Sequence, residues 1–104
     1  MLMITYYEIS NDVTTREVIE AGQVLMDEGL WPPEGMDIIR WDTTVDNWGV
    51  SIAEVDDYET INRAILMWES MVPGMFEETR TAPAAPVEES MAISGALFEE
   101  LPTG

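Results

Sequence analysis

The chain contains no cysteine, no histidine and no lysine. Each absence removes a class of chemistry. Without cysteine there is no disulfide framework, no thiol nucleophile and no thiolate metal site. Without histidine there is no His-centred triad, no imidazole proton shuttle and no His-liganded zinc. Without lysine no side chain can form a Schiff base. Cations of any kind are scarce: Arg16, Arg40, Arg63 and Arg80 stand against 21 acids, a net charge of −17 over 104 residues. With so little positive charge to meet phosphates, neither nucleic acid nor an anionic membrane surface is an expected partner. No apolar run approaches bilayer-spanning length, and the opening MLMITYYEIS lacks the basic region and long apolar core of a signal peptide. A cytoplasmic address is therefore expected.

What is present suits one globular domain: a length near the commonest domain size and 46% hydrophobic residues. The acids are scattered along the whole chain, as Glu8, Asp12, Glu17, Glu20, Asp27 and Glu28 show. Clustering would suggest a face for a basic partner. Scatter favours solubility in saline surroundings, where salt screens self-repulsion. Catalysis is left with carboxylates, tyrosines, arginines, hydroxyls and backbone groups. No metal or cofactor is expected, because pairs such as Asp56-Asp57 and Glu99-Glu100 lack the spacing of a calcium loop.

Residues 2–7, LMITYY, are apolar on both faces and read as a central strand. Thr14 or Thr15 can cap a helix running to Glu28, with Glu17 in its first turn and Gly29 as terminator. Gly22 inside that helix implies a close approach to the sheet. After the linker Leu30-Trp31-Pro32-Pro33-Glu34-Gly35, residues 36–43 and 48–55 read as a hairpin across Thr44-Val45-Asp46-Asn47. Asp56-Asp57 opens a second helix with the stripe Ile61, Ala64, Ile65 and Trp68, and Pro73-Gly74 stops it. Residues 75–81 form a fourth strand. The order β-α-β-β-α-β is the split arrangement of a ferredoxin-like α+β domain, with a four-stranded antiparallel sheet and the first and third strands at its centre. That domain spans residues 1–82. Residues 83–104 follow as an Ala/Pro linker and a short helix over 87–101, VEESMAISGALFEEL.

The central block resembles a small bacterial family of domains of unknown function. The residues that carry the likeness are Pro33-Glu34-Gly35, Trp41, Glu54 with Asp56-Asp57, and Trp68. That family is similar to the dimeric α/β-barrel superfamily, whose ferredoxin-like subunits pair their sheets face to face. Members of the wider group include quinol-type monooxygenases, lactone isomerases, dehydratases and stress-response proteins. The likeness covers residues 1–82. Its histidine-dependent and haem-binding members have no counterpart in a chain without histidine.

Alternation along the hairpin divides Trp48, Val50, Ile52 and Glu54 from Gly49, Ser51, Ala53 and Val55. The small set suits close helix packing, so the bulky set should face away from the helices and meet a second copy in a homodimer. Candidate site residues follow from that face. Glu54 would be an acid–base group and Tyr6 a hydrogen-bond donor. Trp41, Trp48 and Ile52 would line a small apolar ligand, and Arg40 and Arg80, the sheet's only cations, would bind an anionic group of a ligand. For each the bland alternative is structural: a hydrated or arginine-paired Glu54, core aromatics, arginines serving neighbouring carboxylates. An even hairpin loop places Trp41 and Ile39 on Glu54's face; an odd one places Arg40 and Ile38 there. The even case is the expectation. Two functions stand on this reading: a non-catalytic small-ligand-binding or structural dimer, and a cofactor-free isomerase or monooxygenase acting on a small aromatic or lactone-like compound.

Overall fold

A computed structural model describes residues 1–102. Strand β1 (Leu2–Ile9) leads through helix α1 (Thr15–Asp27) to β2 (Met36–Thr43) and β3 (Trp48–Val55). Helix α2 (Tyr58–Met71), β4 (Phe76–Pro83) and helix α3 (Val87–Glu100) follow. The four strands form one antiparallel sheet in the order β2-β3-β1-β4. The apolar first strand is central, as its two-faced pattern predicts. This is the ferredoxin-like β-α-β-β-α-β fold with an added C-terminal helix. No helix among the described residues is long and apolar enough to cross a membrane.

Local chemistry explains the boundaries. Thr14 is the cap of α1: its hydroxyl accepts from Glu17 N–H at 3.1 Å, and the Glu17 carboxylate accepts from Thr14 N–H at 3.2 Å. This reciprocal pair satisfies two backbone donors that the helix end leaves free. Gly29 takes a φ of +70° just past the helix, a conformation costly for any residue with a β-carbon. Asp57 caps α2, accepting from the N–H and hydroxyl of Thr60, both at 2.9 Å. The backbone bond from Thr60, then the hydroxyl, hold the Asp57 carboxyl below its ordinary pKa.

The hairpin departs from the expected register. Thr44 N–H donates to Trp48 O, which closes a loop of three residues rather than four. Asn47 takes a φ of 60°, which Asn tolerates and a three-residue hairpin loop requires. The odd loop sets Arg40 opposite Ile52 and Trp41 opposite Ser51, so Trp41 faces the helices. A bulge between Ile38 and Arg40 then takes up Ile39 and returns Ile38 to the helix side, opposite Ala53. Of the two residues that an odd loop predicts on Glu54's face, only Arg40 is there.

Burial is divided between two clusters. Met3, Ala53, Val55 and Ile61 close one end of the sheet–helix layer. Ala21, Leu25, Trp68, Val72 and Met75 form the other. Gly22 owes its place to a helix–helix contact, not a helix–sheet one: a β-carbon there would lie 3.1 Å from the Trp68 ring. Between the clusters lies a cavity.

Candidate functional site

The cavity sits between the helix side of the sheet and the two core helices, with a volume of about 490 Å³. That is within the range of small-molecule sites. Its origin is visible in the strands. Positions that should carry apolar core residues carry hydroxyl-bearing ones instead: the small Thr5 on β1, Thr43 on β2, Ser51 on β3 and Thr79 on β4, with the larger Tyr7 beside them on β1. Near Val55 and Ala53 the small side chains do permit close packing under Ile61. Around Ser51 they leave space. Close packing was expected along all of β3 and holds for only half of it.

Three tryptophans make one wall. Trp31 comes from the linker, Trp41 from β2 and Trp68 from α2, and all three line the cavity. Their ring centroids lie 5.5 Å (Trp31–Trp41), 5.5 Å (Trp31–Trp68) and 6.0 Å (Trp41–Trp68) apart, each pair tilted or edge-on. Such geometry matches ring edges to ring faces and adds to the burial energy. The roof is aliphatic, with Val18, Ile61, Ala64 and Ile65. Ile19 and Met26 of α1 line the cavity yet remain more than half exposed, which puts them at its rim.

The floor is hydrogen-bonded. Trp41 Nε1–H donates to the Tyr7 hydroxyl at 2.9 Å, and Tyr7 donates to the Asp42 carbonyl at 3.2 Å. Thr5 and Thr81 share a hydrogen bond of 2.9 Å across β1 and β4. Gly49 makes the Tyr7 position available, since a β-carbon there would overlap the Tyr7 hydroxyl and ring. The cavity lining contains no Asp, Glu or Arg. In a chain where 24% of residues are charged, that segregation defines what the space can hold. An ion would enter with its water stripped and no counter-charge to meet it, at a cost of several kcal/mol.

The residues singled out from sequence lie mostly on the other side of the sheet. Tyr6, Trp48, Ile52 and Glu54 point away from the helices, with Leu2, Ile4 and Val50. Arg40 and Arg80 flank this open face on the edge strands. Each arginine is paired along its own strand, Arg40 with Asp42 at 2.7 Å and Arg80 with Glu78 at 2.8 Å. Glu54 is exposed and bonds the Met1 ammonium at 3.0 Å. Tyr6 donates to Glu8 at 2.9 Å and stacks obliquely near Trp48, 6.0 Å between centroids. Desolvation first, then the bond to Glu8, raises its pKa above that of a free phenol. Of the seven, Trp41 alone lines the cavity. Reasoning from bulk missed Tyr7, Ser51 and Thr79. The signal was alternation of another kind: hydroxyl-bearing residues two apart on the faces that the helices cover, Thr5 and Tyr7 on β1 and Thr79 and Thr81 on β4.

No protein-family model matches the sequence, and neither does any curated protein. Comparison of folds finds solved structures over most of the chain. A protein provisionally assigned as an antibiotic biosynthesis monooxygenase from Nitrosomonas europaea is 15% identical, with a TM-score of 0.52 over 83% of this chain and 97% of its own. An uncharacterised NIPSNAP domain protein from Burkholderia xenovorans is 21% identical, with a TM-score of 0.46 over 84% of this chain and 95% of its own. A dimeric ferredoxin-like protein of unknown function from Thermobifida fusca is 13% identical, with a TM-score of 0.49 over 82% of this chain and 89% of its own. At 15% identity the likeness to the Nitrosomonas europaea protein is one of fold alone.

Proposed function

We propose that this protein binds a small, uncharged, largely apolar ligand, flat enough to lie against aromatic rings, in the cavity between sheet and helices. The observation that carries the reading is the lining: three tryptophans and an aliphatic roof over a hydroxyl floor, with no ionised side chain. The working form is a homodimer joined through the open sheet faces, where Leu2, Ile4, Tyr6, Trp48, Val50 and Ile52 make an apolar centre between two arginine–carboxylate pairs.

A cofactor-free isomerase or monooxygenase acting on a small aromatic or lactone-like compound is the second reading. It is supported by the Tyr7 phenol at the cavity floor and by the fold shared with the Nitrosomonas europaea protein. Glu54 and Tyr6 lie across the sheet from the cavity, so in this reading the reacting compound would meet Tyr7 and Trp41 instead. Conversion of a bound compound into a new product distinguishes the two readings; its return unchanged keeps binding alone.

The test is a titration of the tryptophan fluorescence with 1-naphthol and, in parallel, with 1-naphthoate, which has the same ring system and a full charge. Saturable quenching by naphthol and none by naphthoate is expected. Ala64→Leu, which fills part of the cavity, should abolish the response. Its folding stability should hold or rise, since each buried methylene contributes about 0.8 kcal/mol. Equal binding of the two probes, or naphthol binding unchanged in Ala64→Leu, would overturn the assignment.

A further inference from the structure

We propose that Ser51 anchors the ligand by a hydrogen bond, so that the cavity selects neutral flat compounds bearing a hydroxyl or carbonyl oxygen over hydrocarbons of the same shape. The inference rests on the ligand-binding reading above and adds to it a residue that determines specificity.

The floor of the cavity is built on two rows of the sheet, running across all four strands on the side that faces the helices. Strand pairing aligns Trp41, Ser51, Thr5 and Thr81 in one row. It aligns Thr43, Gly49, Tyr7 and Thr79 in the next. Every position except Trp41 and Gly49 carries a hydroxyl, and both exceptions serve one. Trp41 donates to the Tyr7 hydroxyl, and Gly49 leaves the space which that hydroxyl occupies. The adjoining row of Ile38, Ala53, Met3 and Pro83 is wholly apolar. The hydroxyls thus form a band under the cavity, on a side of the sheet that is otherwise built for packing.

Several of these hydroxyls are already bonded. Thr5 and Thr81 share a bond, while Tyr7 donates to the Asp42 carbonyl and accepts from Trp41. Ser51 has no side-chain hydrogen bond among the described residues, and its neighbours in the row, Thr5 and Trp41, are engaged elsewhere. No buried side-chain oxygen among the described residues lacks a partner, so the half-buried Ser51 hydroxyl is not sealed in protein. It opens onto the cavity that it lines. A lone water there would be short of partners, since buried waters typically make about three hydrogen bonds. An oxygen carried by a ligand meets the hydroxyl while the rest of the molecule covers the apolar walls. Because a hydroxyl both donates and accepts, it matches a carbonyl and a hydroxyl alike.

Position separates Ser51 from Thr43 and Thr79, whose hydroxyls also have no partner among the described residues. Thr43 is exposed, and solvent satisfies it. Thr79 lies on β4, three strand spacings from Trp41 on β2, or roughly 14 Å. Ser51 is one spacing from Trp41, about 5 Å, within reach of a compound lying against that ring.

The test is a fluorescence titration of the parent and of Ser51→Ala with 1-naphthol and with naphthalene, which share a ring system and differ by one hydroxyl. Comparing the ratio of the two affinities between proteins cancels the difference in hydration of the probes. One neutral hydrogen bond predicts a naphthol-to-naphthalene ratio about 3- to 10-fold lower in Ser51→Ala, with naphthalene affinity held or raised. Thr79→Val, which exchanges a hydroxyl on β4 for a methyl group, should leave the ratio within about 2-fold of the parent. The melting temperature of Ser51→Ala should hold, because the Ser51 hydroxyl supports no bond within the protein. A ratio unchanged in Ser51→Ala, or lowered equally in Thr79→Val, overturns the anchor; naphthol binding that still excludes naphthoate then leaves the cavity assignment standing. Equal loss of both probes overturns it by making Ser51 a determinant of cavity shape alone. A lower melting temperature in Ser51→Ala overturns it by assigning the hydroxyl to the fold. Failure of naphthol to quench the parent overturns the anchor and the cavity assignment together.

Discussion

Replacing Gly49 with alanine adds one methyl group, and the structure predicts a disproportionate loss. Gly49 is buried in β3, opposite Tyr7 on β1 and Thr43 on β2. An added β-carbon would overlap the Tyr7 hydroxyl, the Tyr7 ring carbon Cζ and the Asp42 carbonyl oxygen. The Asp42 oxygen belongs to the backbone of β2 and cannot swing aside, so Tyr7 must move. Its hydroxyl then leaves the Trp41 indole N–H and the Asp42 carbonyl. Overpacking of this kind costs roughly 1–3 kcal/mol. An indole N–H deprived of its acceptor adds about 1 kcal/mol or more. At about 4–8 °C per kcal/mol for a domain of this size, the melting temperature should fall on the order of 10–20 °C. Thermal melts followed by near-ultraviolet circular dichroism report both the loss and the changed tryptophan environment. Gly95→Ala is the control, since a β-carbon there meets nothing within 4 Å and alanine favours a helix. A Gly49→Ala melt within about 2 °C of the parent would mean that the Tyr7 hydroxyl does not occupy that space.

Two further outcomes follow from charge. The Asp57 carboxyl has its folded-state pKa held below the ordinary 3.8 by the bonds from Thr60. Its contribution is therefore fully present above about pH 4 and lost as pH falls through the lower folded value. The stability gap between the parent and Asp57→Ala, measured by urea denaturation, should stay constant from pH 7 to pH 5 and narrow below pH 4. A gap independent of pH down to 2 would refute the charged cap. The net charge of −17 makes self-repulsion a general destabilising load. Raising sodium chloride from 0.05 M to 1 M shortens the screening length to about 3 Å and should raise the urea midpoint steadily. A flat response would redirect attention to a basic partner that neutralises the acids.

Much of the architecture was legible before any coordinates. Helical and alternating periods, a cap at Thr14 or Thr15 and another at Asp56-Asp57, and Gly29 as a terminator are short-range features, and the element order follows from them; the structure chose Thr14 and Asp57. The crossover rule then leaves little freedom for a β-α-β-β-α-β chain, and the central place of β1 comes with it. Alternation also separated the two faces of β3 correctly, because a period of two admits only two choices. The absence of histidine, cysteine and lysine narrowed the chemistry just as firmly.

The site depended on relations that no local pattern contains. Whether the loop after Thr43 holds three residues or four decides which way Trp41 points, and Asn47 in a left-handed conformation made it three. The bulge at Ile39 then reversed the alternation halfway along β2, so no single register describes that strand. Small residues over a helix-covered face are compatible with close packing and with an open space. Only the packing of distant segments, which makes Trp31, Trp41 and Trp68 one wall of the space, chose between them. Sequence determined which residues share a strand face, because that is a property of the backbone repeat. Tertiary structure decided which face encloses a cavity, because volume is what remains after distant segments have packed.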